Sequence, residues 1–171
     1  ASAALAALDV LRVRLPVTLR QICRGFASVA LPGRFQVLPG SPTVVLDVGH
    51  NPQAAAVLVD NLSEMDSCRT TWAVFGMLRD KDIASVVNLL AKQVDHWMVC
   101  TLPPPRGAEA AQLAQVLRRA GVDAVREFEN PAAAYAAALG EAGESDRILV
   151  FGSFYTVADI LAARDSSKLK A

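Results

Sequence analysis

Cysteine is scarce in this sequence: Cys23, Cys68 and Cys100 make up an odd count, widely spaced. Without paired spacing they argue against a disulfide framework or a cysteine-based zinc site, and favour a reducing compartment, the cytoplasm. Neither sign of charge is in excess, with 17 acidic residues against 17 basic ones. There is no basic field to hold a nucleic-acid backbone and no acidic tail, so no nucleic-acid partner is expected. No apolar run is long enough to span a bilayer, and the amino terminus lacks the charged start and apolar core of a signal peptide. Phosphate cradles are absent as well. No G-x-G-x-x-G follows the first strand, and no G-x-x-x-x-G-K-[ST] occurs anywhere. Nor is there a G-x-S-x-G elbow, which leaves Ser153 a poor nucleophile.

What the chain does contain is alanine and regular alternation. At 171 residues, 53% of them hydrophobic, it can bury a sizeable core, and the alanine excess suits helices packed closely on a sheet. Ala1 to Leu8 reads as the interior of a helix with no cap, as though cut from a longer chain. Thr18 then caps a short helix reaching about Ala27, with Leu19, Ile22, Cys23 and Phe26 at helical spacing. Leu31-Pro32-Gly33-Arg34 closes it with a turn. We therefore expect residues 1–30 to form the end of a preceding domain plus a linker, and residues 31–171 to form the main domain.

Within that domain, strand signals alternate with helix signals. Phe35 to Leu38 and Thr43 to Val48 flank a Pro-Gly-Ser-Pro turn, the spacing of an antiparallel hairpin. Asn51-Pro52 is a helix cap followed by a first-turn proline, and Asn130-Pro131 repeats the device. Further strands are expected at Thr71 to Met77, Trp97 to Leu102, Val122 to Phe128 (polar, hence near an edge) and Arg147 to Phe151. Helices are expected over Asp80 to Val94, over Ala108 to Ala120 with Gly121 ending it, and after Gly152-Ser153-Phe154-Tyr155, where Thr156 and Asp159 have capping-box spacing. The tail from Asp165 is polar and expected to fray. Methionine, tryptophan and phenylalanine residues are read as packing. No apolar stripe calls for a second copy, so a monomer is expected.

Such alternation implies a three-layer α/β sheet of about six mostly parallel strands with one antiparallel edge strand. Ligands of these sheets sit beyond the carboxyl ends of the strands, which selects four turns: Asp47 to Asn51, Gly76 to Asp82, Thr101 to Gly107 and Gly152 to Tyr155. Asp47 could accept two ribose hydroxyls, or simply cap its own turn. His50 could bind an anion or move a proton near neutral pH, or serve as a satisfied structural group. Arg34, held after Pro-Gly, could grip a phosphate or stack on a base, or be a solvated turn residue. Arg106 could be fixed by the prolines before it or lie free. Two ligands at the Asp47–His50 spacing are too few for a metal site.

Four motifs in order go further: Leu31-Pro32-Gly33-Arg34-Phe35-Gln36, Leu46-Asp47-Val48-Gly49-His50-Asn51-Pro52, Gly76-Met77-Leu78-Arg79-Asp80-Lys81-Asp82 and Gly152-Ser153-Phe154-Tyr155-Thr156-Val157. Together they closely resemble the carboxy-terminal domain of the bifunctional folylpolyglutamate synthase/dihydrofolate synthase family, within the Mur ligase superfamily. The resemblance implies a Rossmann-like domain partnered by an amino-terminal P-loop ATPase domain of the same protein. It also implies an ATP- and magnesium-dependent ligase joining L-glutamate to dihydropteroate or folates through an acyl phosphate. On this resemblance Arg34 and Asp47 contact ATP, while His50, Ser153 and Tyr155 lie toward glutamate. The magnesium ligands would lie in the amino-terminal domain. Gly49 stands where that family commonly has alanine.

Overall fold

In the computed structural model, residues 2–29 and 31–168 are described. The chain divides into two units, Ala1–Leu31 and Pro32–Ala171. The first holds α1 (Ser2–Val10) and α2 (Leu19–Ser28). Ala1 lies outside the described residues. α2 opens on the expected cap: the Thr18 hydroxyl accepts the Gln21 N–H, and the Gln21 side chain accepts the Thr18 N–H at 2.8 Å. Neither helix buries a residue. Leu5, Val10, Val13, Leu19, Phe26 and Val29 are among the large apolar side chains left exposed.

The second unit carries β1 (Gln36–Leu38), β2 (Thr43–Asp47), α3 (Pro52–Glu64), β3 (Thr71–Phe75), α4 (Ile83–Leu90), β4 (His96–Cys100), α5 (Ala110–Arg119), β5 (Val125–Phe128), α6 (Pro131–Glu141), β6 (Arg147–Phe151) and α7 (Phe154–Lys168). The six strands form one sheet in the order β1-β2-β6-β3-β4-β5. β1 pairs antiparallel with β2, and every other pairing is parallel. The antiparallel edge strand and the edge position of polar β5 match the sequence reading.

Successive residues of a strand face opposite sides, and that period of two builds two cores. Val45, Ala73, Phe75, Trp97, Val99, Leu149 and Phe151 point to one face, under α3, α4 and α5. Val44, Leu46, Val74, Met98, Ile148 and Val150 point to the other, under α6 and α7. Helices on both faces make the three layers. The central strands β3 and β6 are buried at every position, as a sheet covered on both sides requires.

Local chemistry fixes several boundaries. Asn51 Oδ1 accepts the Ala54 N–H at 2.9 Å and Asn130 Oδ1 the Ala133 N–H at 2.8 Å, each followed by proline in the first turn. Gly121, at φ 81°, ends α5. Three expectations need correction. α4 is shorter than Asp80 to Val94 because Asp82 is its cap, accepting the Ser85 N–H at 3.1 Å. Thr156 and Asp159 form no capping box: Thr156 Oγ1 donates to the Gly76 carbonyl at 2.9 Å and Asp159 Oδ2 accepts the Ala132 N–H at 3.2 Å. The tail does not fray at Asp165, since α7 continues to Lys168; residues 169–171 lie outside the described residues.

Two buried groups yield measurable expectations. Cys100 is fully buried and donates to the Phe75 carbonyl at 3.4 Å, and burial pushes its thiol up to about 12. Only the thiolate is reactive, so an alkylating reagent should modify exposed Cys23 rapidly and Cys100 only on unfolding, read by mass spectrometry. Asp146 accepts the Gly143 N–H at 2.8 Å and the Trp72 indole N–H at 3.1 Å; the Gly143 bond, first, holds its carboxyl below the usual carboxylate range against the opposing effect of burial. A depressed native pKa contributes stability above the unfolded value of about 3.9, and that stability is lost as the pH falls through the native value. Asp146→Asn should therefore flatten the acid limb of stability against pH in denaturant titrations.

Candidate active site

The strands β2, β6, β3 and β4 are consecutive parallel neighbours, so the four turns singled out in the sequence leave one common rim. Two glycines let the turns approach. Gly152 has φ 104°, and a Cβ there would stand 2.6 Å from the Gly76 carbonyl oxygen. A Cβ on Gly76 would meet Thr156 Oγ1 at 2.7 Å and Cys100 Sγ at 2.8 Å.

Asp47, at the end of β2, organises one half of the rim. Its Oδ2 accepts the Phe35 N–H at 2.8 Å and its Oδ1 the Gly49 N–H at 2.6 Å. One half-buried carboxylate thus joins the turn that carries Arg34 to the turn that carries His50. The Gly33 carbonyl accepts the Val48 N–H at 2.8 Å, a second tie between the same turns. Phe35 has φ 41°, the one non-glycine positive φ among the described residues, and the Asp47 bond holds it there. Such conformations cost about 1–2 kcal/mol in an L-residue and persist only where the surroundings enforce them. Each Asp47 oxygen keeps a free lone pair, so the carboxylate can still accept hydroxyls from a ligand.

His50 Nδ1 lies 2.9 Å from the Val48 carbonyl. A carbonyl only accepts, so Nδ1 carries the proton and Nε2 is left for a ligand. Arg34 is exposed, and its guanidinium sits 5.6 Å from the centroid of the Phe154 ring. The same ring lies 6.4 Å from the His50 ring, tilted by 53°. Phe154 is 56% exposed, which corrects its reading as a packing residue. Its residue type suggested the core; yet a first-turn side chain covers the surface before its own Cα, which here is the rim.

The other candidates are placed differently. Ser153 is buried, and its Oγ accepts the Tyr155 N–H at 3.2 Å, a local cap for α7. Tyr155 opens onto a groove of about 580 Å³ lined also by Pro103, Pro104, Asn130 and Pro131. Arg106 is both exposed and held: its Nη2 is 2.7 Å from Asp80 Oδ2, while the Arg79 side chain bonds the Pro105 carbonyl. Arg106 holds the Asp80 carboxyl below its ordinary range, and Asp80 in turn raises Arg106. A larger cavity, about 710 Å³, opens at the amino end of the sheet beside Asp146 and Arg147, away from these motifs. Among the described residues no group of three or more His, Cys, Asp or Glu is arranged to hold a metal ion.

Residues 33–154 match the family described as Mur ligase, glutamate ligase domain. The chain belongs to this family. The matched span of this glutamate ligase domain begins at Gly33 and ends at Phe154, residues of the two motifs that meet at the rim. The dihydrofolate synthase/folylpolyglutamate synthase of Escherichia coli is 40% identical over 90% of this chain and 35% of that protein. A structure of Escherichia coli FolC in complex with DHPP and ADP superposes with a TM-score of 0.87 at 41% identity, over 96% of this chain and 38% of that one. A folylpolyglutamate synthase/dihydrofolate synthase with Mn, AMPPNP and L-glutamate bound gives a TM-score of 0.82 at 41% identity, over 93% of this chain and 38% of the other. The chain spans about a third of the length of the curated relatives it matches. Among the described residues no helix is long and apolar enough to cross a membrane.

Proposed function

We propose that this glutamate ligase domain works as part of an ATP-dependent ligase that adds L-glutamate to dihydropteroate, to folates carrying a polyglutamate tail, or to both. ATP transfers its γ-phosphoryl group to a substrate carboxylate, giving an acyl phosphate and ADP. The glutamate amine, after losing a proton, attacks the acyl carbon, forming the amide and expelling phosphate. Magnesium would neutralise phosphate charge during the transfer, and its ligands would come from an upstream P-loop ATPase domain of the same protein. That domain would also cover the apolar side chains exposed on Ala1–Leu31. The free state of Cys23, Cys68 and Cys100 fits a reducing compartment, the cytoplasm.

The observation that carries this reading is the pair of hydrogen bonds that the Asp47 carboxylate accepts, one from the Arg34 turn and one from the His50 turn. It supports Arg34 and Asp47 as the nucleotide side and His50 Nε2 as the glutamate side of one site, with Ser153 and Tyr155 as further glutamate-side groups. Closing such a rim over bound nucleotide would exclude the water that hydrolyses an acyl phosphate.

The test uses the full-length protein with ATP, glutamate and dihydropteroate or tetrahydrofolate, following phosphate release. Arg34→Ala removes a charged hydrogen-bond donor, so the KM for ATP should rise on the order of 10- to 100-fold. Unchanged kinetics would overturn the site assignment. Turnover only with a cell-wall precursor acid in place of the folates would overturn the substrate.

A further inference from the structure

An exposed phenylalanine at a helix start gains little from burial, yet the backbone under Phe154 is rigidly aimed. Gly152 is locked by its positive φ against the β3 exit, and buried Thr156 pins the first turn of α7 to the Gly76 carbonyl. The ring so presented meets two groups that belong to different turns. Its centroid is 5.6 Å from the Arg34 guanidinium carbon and 6.4 Å from the His50 ring. The negative face of an aromatic ring attracts a cation and restrains a long arginine that otherwise samples many rotamers.

We propose that Phe154 is a positioning residue that couples the nucleotide side of the rim to the glutamate side, by holding Arg34 and His50 against one ring. This rests on the assignment of Arg34 to ATP and His50 to glutamate under the proposed function. Phe154 itself touches no reacting atom. It sets where Arg34 waits before nucleotide arrives, and it braces the imidazole whose Nε2 is left for a ligand.

Four variants of the full-length protein test the proposal by steady-state kinetics: Phe154→Leu, Phe154→Tyr, Arg34→Ala and the double variant Arg34→Ala/Phe154→Leu. Because Phe154 is exposed, Phe154→Leu should melt at the wild-type temperature. It should raise the KM for ATP about two- to fivefold, the scale of one exposed cation–π contact, and raise the KM for glutamate, with kcat changed less. Phe154→Tyr retains the ring and should restore both values. On the Arg34→Ala background, Phe154→Leu should add nothing to the KM for ATP. The proposal is overturned if Phe154→Leu leaves both KM values unchanged while Arg34→Ala raises that for ATP. It is also overturned if the two substitutions act additively or if tyrosine fails to rescue. Failure of the underlying function reads out elsewhere, in an Arg34→Ala enzyme whose ATP kinetics equal wild type, and that result overturns both.

Discussion

Asp47→Ala is expected to have the largest effect on activity of any single substitution at the rim. The variant leaves the N–H groups of Phe35 and Gly49 without their acceptor, and each orphaned buried donor costs about 1–3 kcal/mol. Phe35 also loses what holds its left-handed backbone, and the Arg34 turn stays tied to the His50 turn by the Gly33–Val48 bond without the carboxylate. Water reaches this half-buried site and offsets part of the cost. We expect a loss of about 2–4 kcal/mol in stability, and a displacement of both proposed binding groups that lowers kcat/KM for ATP on the order of 100-fold or more. Asp47→Asn separates structure from charge. It retains one acceptor oxygen and should recover about half of the lost stability. If it recovers stability without activity, the carboxylate is needed by the ligand as well as by the fold. Wild-type melting and ATP kinetics in Asp47→Ala would show that the carboxylate matters to neither.

Gly152→Ala should have the largest effect on stability. Its backbone lies at φ 104°, where an L side chain is strained, and the new Cβ would stand 2.6 Å from the Gly76 carbonyl oxygen and 2.8 Å from the Phe75 ring. Neither neighbour can yield: one is backbone and the other is packed between Trp97 and Phe151. Strain of about 1–3 kcal/mol and overpacking of about 1–3 kcal/mol together predict a loss of about 2–6 kcal/mol. For a chain of this length the melting temperature should then fall by roughly 4–24 °C. Gly140→Ala, inside α6 with no atom within 4 Å of the new Cβ, is the control and should stabilise by about 0.5–1 kcal/mol. Equal melting temperatures for the two variants would refute the packing account of Gly152.

Gly49 shows a milder form of the same constraint. Its Cβ would come 2.7 Å from Asp47 Oδ1 and 3.1 Å from the Ala54 Cβ, so the smallness of glycine and alanine does not make them equivalent here. An alanine there requires the Asp47 carboxylate to shift while it accepts hydrogen bonds from the Phe35 and Gly49 N–H groups.

What could be read from the sequence was what is encoded within a few residues. Asn51-Pro52 and Asn130-Pro131 announce helix starts because a cap accepts an amide three positions on. The buried runs of β3 and β6 announce strands because a sheet covered on both faces wants apolar residues without alternation. Thr156 and Asp159 failed as a capping box for the opposite reason. The spacing was right, but Gly76 and Ala132, 80 and 27 residues away in the chain, took the two side chains. Phe154, read as packing by its residue type, is exposed because an apolar side chain in the first turn of a helix can stand beyond the end of the sheet it packs on.

The sequence by itself determined the alternation of elements, the antiparallel edge hairpin, the rim and the candidates on it, since periods of 2 and 3.6 and cap chemistry are local. Only the tertiary structure decided that β6 inserts between β2 and β3. It also decided that Asp47 serves two turns at once and that Arg34 and His50 share the ring of Phe154. Those facts depend on which distant segments pack together, and no spacing along the chain records that.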